Sequence, residues 1–235
     1  MSTAVGSAPE GLLSLTAEQA FDSVGPAYEA AFADLPEQAQ SINWLLSQLE
    51  ASDIKPARFV DIGCGTGRPV CSSLADAGHD VLGIDVSSAM INAARERVPN
   101  AKFEQIDFRN FNPPQQSLDA ASVYFSMIAD VTQQEIKGFI ADIYRALKPG
   151  GLFVFATLPL DVQGVQVKWM GRPMTVSSLA HEVAVETIRT VGFELVHDAV
   201  TKFTPRGAEA GICQKEEVWE EPHLFVYARK PTTAD

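Results

Sequence analysis

Hydrophobic positions change rhythm twice along this chain. Over residues 1–13 they are scattered among polar ones, the pattern of a flexible tail. Helical spacing follows, in short stretches around 16–23 and 26–33 and a longer one over 36–50. Pro36 opens the longest, at a position where a missing N–H costs nothing, and Ile42, Leu45, Leu46 and Leu49 recur on one face. From residue 56 compact apolar runs alternate with helical patterns. Arg58 to Ile62, Val81 to Ile84, Lys102 to Ile106, Leu118 to Phe125 and Leu152 to Thr157 read as strands. Helices are expected over 68–77, with Gly78 as its stop, and over 88–98, with Ser87 or Ser88 as its cap. Thr132 and Glu135 have capping-box spacing ahead of a stripe formed by Ile136, Phe139, Ile140, Ile143 and Leu147, and Lys148-Pro149-Gly150-Gly151 breaks that helix.

Beyond residue 158 the pattern loosens. Residues 158–176 read as a loop, 177–191 as a helix, 193–201 as a strand, 203–216 as a polar connection and Val218 to Ala228 as a last strand, the final two strands pairing antiparallel. Strands alternating with helices of this length imply an α/β fold whose parallel sheet is covered on both faces. The economical division is a tail over 1–13 and one domain over 14–230. Within that domain, 14–50 form an N-terminal helical cap, 56–158 a ligand-binding core, and 159–230 substrate-side elements and C-terminal strands.

Composition narrows the functions. The 235 residues are 46% hydrophobic, enough for one well-packed domain. No apolar run approaches the roughly 20 residues of a membrane span, and the N-terminus lacks a secretory pattern. Cys64, Cys71 and Cys213 have neither disulfide-framework nor metal-site spacing, so no metal is expected and a reducing, cytoplasmic setting fits. A formal net charge of −12 disfavours nucleic acid and anionic membranes as partners. Oligomeric state is not readable.

The chemistry concentrates in Asp61-Ile62-Gly63-Cys64-Gly65-Thr66-Gly67, which follows a predicted strand and opens a predicted helix. Alternate glycines make a bare loop at the carboxyl end of a central strand, where open α/β sheets bind ligands. The dinucleotide fingerprint needs its third glycine where Arg68 stands, and Pro69 removes a helix N–H that a pyrophosphate would use, so the spacing disfavours NAD. Asp85 ends the second strand, where an acid accepts ribose hydroxyls or caps the next helix. Asp107-Phe108 ends the third, where the pair suits an adenine amino group and ring or forms an ordinary turn.

Together with Gly83-Ile84-Asp85-Val86-Ser87 and Leu147-Lys148-Pro149-Gly150-Gly151, these motifs resemble, in order and spacing over about 56–158, the series of class I S-adenosylmethionine-dependent methyltransferases. Phe21-Asp22-Ser23-Val24-Gly25-Pro26-Ala27-Tyr28 is similar to the cap of small-molecule members. The resemblance implies a doubly wound, seven-stranded, mostly parallel sheet with its last strand antiparallel, and S-adenosyl-L-methionine as cofactor. Asp61 and the Gly63-Cys64-Gly65 stretch would hold the methionine end. Asp85 would take the ribose, Val86 would flank the adenine, and Asp107 with Phe108 would bind it. Tyr124-Phe125-Ser126-Met127 would pass under the methionine portion, Phe125 included, and Tyr28 would close over the cofactor.

Methyl transfer from a sulfonium asks mainly for in-line geometry and exclusion of water, so a general base is optional. The candidate is His181, near the start of the helix after the 158–176 loop, with a helix-surface role as the alternative. His79 is on the wrong end of the sheet, His197 and His223 are read as structural, and Asp130 as a helix cap or surface residue. Phe21 reads as a lid or as permanent packing. Trp169, Met170, Arg172 and Met174 form either the wall of a small-molecule acceptor site or plain packing on the sheet. Besides methyl transfer to a small molecule, the pattern leaves open a protein of the same fold that binds S-adenosylmethionine to rearrange or dehydrate a substrate, or to regulate a partner. A nicotinamide oxidoreductase is opposed by Arg68 and Pro69, and a macromolecule methyltransferase by the acidic charge and the lack of an Asn-Pro-Pro-Tyr-type segment after the fourth strand.

Overall fold

Strand–helix alternation produces the expected frame. The computed structural model describes residues 13–232, so of the tail read over 1–13 all but the exposed Leu13 lies outside the described residues. Strands β1 (Arg58–Ile62), β2 (Asp80–Asp85), β3 (Lys102–Gln105), β4 (Leu118–Tyr124) and β5 (Leu147–Thr157) pair in parallel in the order β3-β2-β1-β4-β5. Two later strands of the same sheet, β8 (Glu194–Phe203) and β9 (Glu221–Arg229), extend it beyond β5. β9 runs antiparallel to both its neighbours, giving seven strands of which six share one direction. The chain steps outward from β1 through β2 to β3, then returns to lay β4 on the other side of β1. That reversal opens a crevice at the carboxyl ends of β1 and β4.

Each sheet face buries its own helices. Helices α3 (Pro36–Ala51), α4 (Val70–Asp76) and α5 (Ser88–Arg97) cover one, through Ile42, Leu45, Leu49, Leu74, Ile91 and Ala94. Helices α6 (Gln133–Ala146) and α7 (His181–Val191) cover the other. The α6 stripe of Ile136, Phe139, Ile140 and Ile143 is buried against β4 and β5 residues, each side chain worth about 1.5–3 kcal/mol. Thr132 and Glu135 form the capping box. Leu147, read as the end of that stripe, already belongs to β5 and pairs with Leu118.

The expected loop over 158–176 is instead a hairpin of β6 (Val162–Trp169) and β7 (Arg172–Ser178). Met170 and Gly171 turn it with φ of 45° and 82°, positive at both positions, as the twist of a tight hairpin requires. A register shift between Val162 and Val165 and the glycine at 164 obscure the alternation. Because β7 continues through Ser178, α7 starts at His181 and not at 177. The hairpin packs against the cap helices α1 (Ala17–Val24) and α2 (Tyr28–Ala31): Leu15 N–H donates to the Pro173 carbonyl at 2.8 Å, and Trp169 joins Phe21, Tyr28 and Phe32 in one aromatic group.

Candidate functional site

Two adjoining cavities lie at the carboxyl end of the sheet. The larger, about 880 Å³, is bounded by the ends of β1 to β4 and by the cap. The smaller, about 90 Å³, lies under the β6–β7 hairpin. Phe21, Tyr28, Phe32, Phe125 and Ala129 line both.

The floor of the larger cavity is dictated by glycine. Gly63 has φ of 70°, and a Cβ there would sit 1.9 Å from the Ser126 Cβ, so no side chain fits. Gly65 has φ of 53° and open space where its Cβ would go, which leaves bare backbone facing the cavity. Two acids flank this loop. Asp61 is 3% exposed; its Oδ1 accepts from Ser122 Oγ at 2.6 Å and its Oδ2 from Cys71 Sγ at 3.6 Å. Burial pushes its carboxyl up to about 7; the bonds from Ser122 and Cys71 oppose that rise and the Asp85 charge adds to it. Asp85 Oδ2 accepts from Gly65 N–H at 2.9 Å and its Oδ1 from Ser87 N–H at 2.9 Å. It therefore braces the glycine loop. Burial raises its pKa against the pull of those backbone N–H groups.

Tyr28, Asp61, Gly63, Cys64, Gly65, Asp85, Val86, Asp107, Phe108 and Phe125 all line the larger cavity. Asp107 also caps a short 3₁₀ turn, accepting from Arg109 N–H at 2.8 Å and from Arg109 Nη1 at 2.7 Å. Phe108 packs edge-on against Phe139 at 5.1 Å. Phe125 holds φ of 58° at the end of β4, a left-handed geometry uncommon for a bulky residue. Burial raises the Tyr28 pKa, helped by the charges of Glu221 and Asp85, so its phenol stays protonated.

The acceptor-side expectations divide. Phe21, Trp169 and Met174 line the smaller cavity. Arg172 does not: its guanidinium is consumed tying hairpin to cap, donating to Ser23 Oγ at 2.5 Å, the Ser23 carbonyl at 3.0 Å and the Met170 carbonyl at 2.6 Å. Met170 does not either, since the turn drives its side chain under Ala31, Phe32 and Leu35, 2% exposed. His181 also departs from expectation. It lines neither cavity, and its Nε2 lies 2.6 Å from Asp198 Oδ2 across to β8. His79 sits at the amino end of the sheet, where its Nδ1 accepts from Ala57 N–H at 3.1 Å.

Several site residues carry no sequence signal of their own. Glu29 of α2 accepts from Thr66 Oγ1 at 2.7 Å and pairs with Arg97 at 2.5 Å. Asp22 of α1 accepts from Ser87 Oγ at 2.6 Å and Ala89 N–H at 3.0 Å, satisfying the α5 start. Two cap acids thus fasten the loops that follow β1 and β2. Glu221 and Trp219 complete the smaller cavity. A bare backbone floor, one buried and one half-buried acid and apolar flanks suit a cationic nucleoside, and the adjoining apolar cavity suits a second small ligand. Among the described residues no group of acids, histidines and cysteines has metal-ligand geometry.

The sequence profile of a methyltransferase-domain family matches residues 59–151. A demethylmenaquinone methyltransferase of Paenarthrobacter aurescens is 31% identical over 137 residues, covering 58% of this chain and 52% of that protein. A ubiquinone/menaquinone biosynthesis C-methyltransferase of Methylobacterium nodulans is 29% identical over 181 residues, 73% of this chain and 69% of that protein. The chain spans about half the length of the first curated relatives it matches. A methyltransferase structure from Methanosarcina mazei superposes with a TM-score of 0.63 at 17% identity, covering 79% of this chain and 98% of that one.

Proposed function

We propose that the chain carries a class I S-adenosylmethionine-dependent methyltransferase domain, a reading supported by its match to the methyltransferase-domain profile and by its methyltransferase relatives, that it binds S-adenosyl-L-methionine in the larger cavity, and that it transfers the methyl group to a small molecule held in the smaller one. The carrying observation is the joint position of the Gly63–Gly65 floor and two acids, the buried Asp61 and the half-buried Asp85, lining a cavity of about 880 Å³. The residues fit the group. A Cβ at Gly63 would collide with Ser126 and one at Gly65 would project into open space, and a carboxylate at Asp61 complements an ammonium. When bound, the sulfonium supplies an electrophilic methyl carbon.

The chain's own residues do the rest. Asp61 holds the amino end, and Asp85, braced by Gly65 and Ser87, offers its remaining lone pairs to ribose hydroxyls. Val86, Asp107 and Phe108 surround the base. Phe21, Tyr28, Phe32 and Phe125 exclude water between the cavities. Orientation of this kind supplies about 7–11 kcal/mol of a bimolecular barrier. The chain works as one domain over 14–230, with 14–50 as cap, 56–158 as cofactor core and 159–230 as acceptor side. The acidic charge supports a small-molecule acceptor over nucleic acid. No helix among the described residues is long and apolar enough to cross a membrane.

Calorimetry tests the reading directly. S-adenosylmethionine and S-adenosylhomocysteine are expected to bind and NAD to give no heat; tight NAD binding without binding of either sulfur nucleoside ends it. Labelled methyl transfer into a cell extract then identifies the acceptor.

A further inference from the structure

The smaller cavity is lined mostly by rings, aliphatic side chains and Met174, with Ser178 and a single carboxylate among them, Glu221 at the start of β9. Its side chain is 7% exposed. Oε1 accepts from Trp169 Nε1 at 3.2 Å, and Oε2 lies 3.1 Å from His223 Nε2, which donates to it. Among the described residues no lysine or arginine ion-pairs with it. A carboxylate has about four acceptor sites, and these contacts use two. Burying such a group with half its capacity open is unfavourable unless a ligand supplies the missing donor. His223 is held as firmly as the acid it serves. It is 1% exposed, its ring lies 4.4 Å from that of Phe125 and 5.7 Å from that of Phe203, and its Nδ1 has no partner. Through Nε2 the imidazole therefore fixes the carboxylate's orientation, while its Nδ1 stays unpartnered among the described residues.

Taking the methyl-transfer reading as its basis, we propose that Glu221 is the specificity-determining residue of the acceptor site, and that it selects a neutral, apolar acceptor presenting one hydroxyl or N–H donor, with His223 as its positioning residue. The lining of Leu158, Leu160, Val167, Met174 and Val176 accepts the apolar body, and the carboxylate accepts the one donor. The same negative charge, in a cavity without a cation, rejects acceptors that are themselves carboxylates.

The test uses the full chain saturated with S-adenosylhomocysteine and three probes of one size: 4-chlorophenol, 4-chloroanisole and 4-chlorobenzoate, followed by Trp fluorescence and calorimetry. The phenol is expected to bind about tenfold or more tighter than its methyl ether, and the benzoate weakest. In Glu221→Gln the phenol-to-ether ratio is expected to fall to about threefold or less, with affinity for S-adenosylhomocysteine unchanged. Equal binding of phenol and ether by the wild-type protein, or preferred binding of the benzoate, overturns the proposal whether or not the variant folds. So does a Glu221→Gln protein that keeps the full preference and loses only thermal stability, because Glu221 is then merely an anchor for Trp169. Failure of S-adenosylhomocysteine to bind is a separate result: it removes the methyl-transfer reading and this proposal with it.

Discussion

The two cavities meet along one aromatic wall yet are built by different means. The larger is specified by backbone: glycines at 63 and 65 with positive φ, and two acids whose oxygens are already hydrogen-bonded, Asp85 to the loop at Gly65 and Asp61 to Ser122 of β4. The smaller is specified by side-chain packing of a hairpin against a cap, with one buried carboxylate. Backbone-built sites tolerate little change, because each atom's position follows from the chain path. Packed walls tolerate exchanges of similar volume. The donor side of the molecule should therefore be brittle and the acceptor side adjustable.

The largest expected effect falls on the glycine floor. Gly63→Ala places a methyl 1.9 Å from the Ser126 Cβ at a positive φ and should cost about 2–4 kcal/mol in stability, with nucleoside binding lost; a melting curve and a titration check both. Asp85→Ala comes next, weakening S-adenosylmethionine binding by about 1.5–3 kcal/mol, read by calorimetry. Unchanged affinity would mean that the acid only braces Gly65.

Titration of Asp61 sharpens the contrast further. Burial pushes its pKa in the folded protein up to about 7, above the ordinary carboxylate range. Because the folded protein holds that proton more tightly than the unfolded chain, this group's contribution to stability is full below the unfolded pKa and is lost as pH rises through about 7. A cationic ligand has the opposite preference and binds the ionised form. Affinity for S-adenosylmethionine should therefore rise roughly tenfold between about pH 6 and pH 8, and Asp61→Asn should flatten the profile. The smallest effect is expected at the cap. Glu29→Gln breaks a partly exposed pair with Arg97 and should cost about 1 kcal/mol or less. It is expected to speed cofactor release in stopped-flow measurements more than it lowers the melting temperature.

Legibility in the sequence follows the same divide. Positions that need glycine, and acids at strand ends, announce themselves one by one, so the core from Arg58 to Thr157 and the glycine loop with Asp85 and Asp107 are readable from local pattern, whereas Tyr28, Val86 and Phe125 follow only from the family resemblance and Glu29 from neither. The hairpin is not. Exposed residues alternate irregularly along β6, and its turn puts Met170 where glycine or asparagine is the usual sign. With the turn unseen, Met170 and Arg172 look like neighbours of Trp169 on one wall, when the turn sends one beneath the cap and the other across to Ser23. Glu221 ends an acidic run, Glu216, Glu217, Glu220, at the start of an expected strand, and nothing local marks it as buried. Only the pairing of β9 with β5 and β8 buries it. His181 was visible as a helix-start histidine, but its partner Asp198 comes from a strand seventeen residues later, a distance no local rule spans.

Phe125 stands where the two cavities share a boundary, its backbone in a conformation that costs energy and its ring wedged against His223 and Phe225. Selection acting on the lining of the smaller cavity can redraw one compartment while leaving the other's blueprint intact, except at that partition. A substitution there would be felt by both tenants at once, which makes it the position where the history of the donor and the history of the acceptor are tied together.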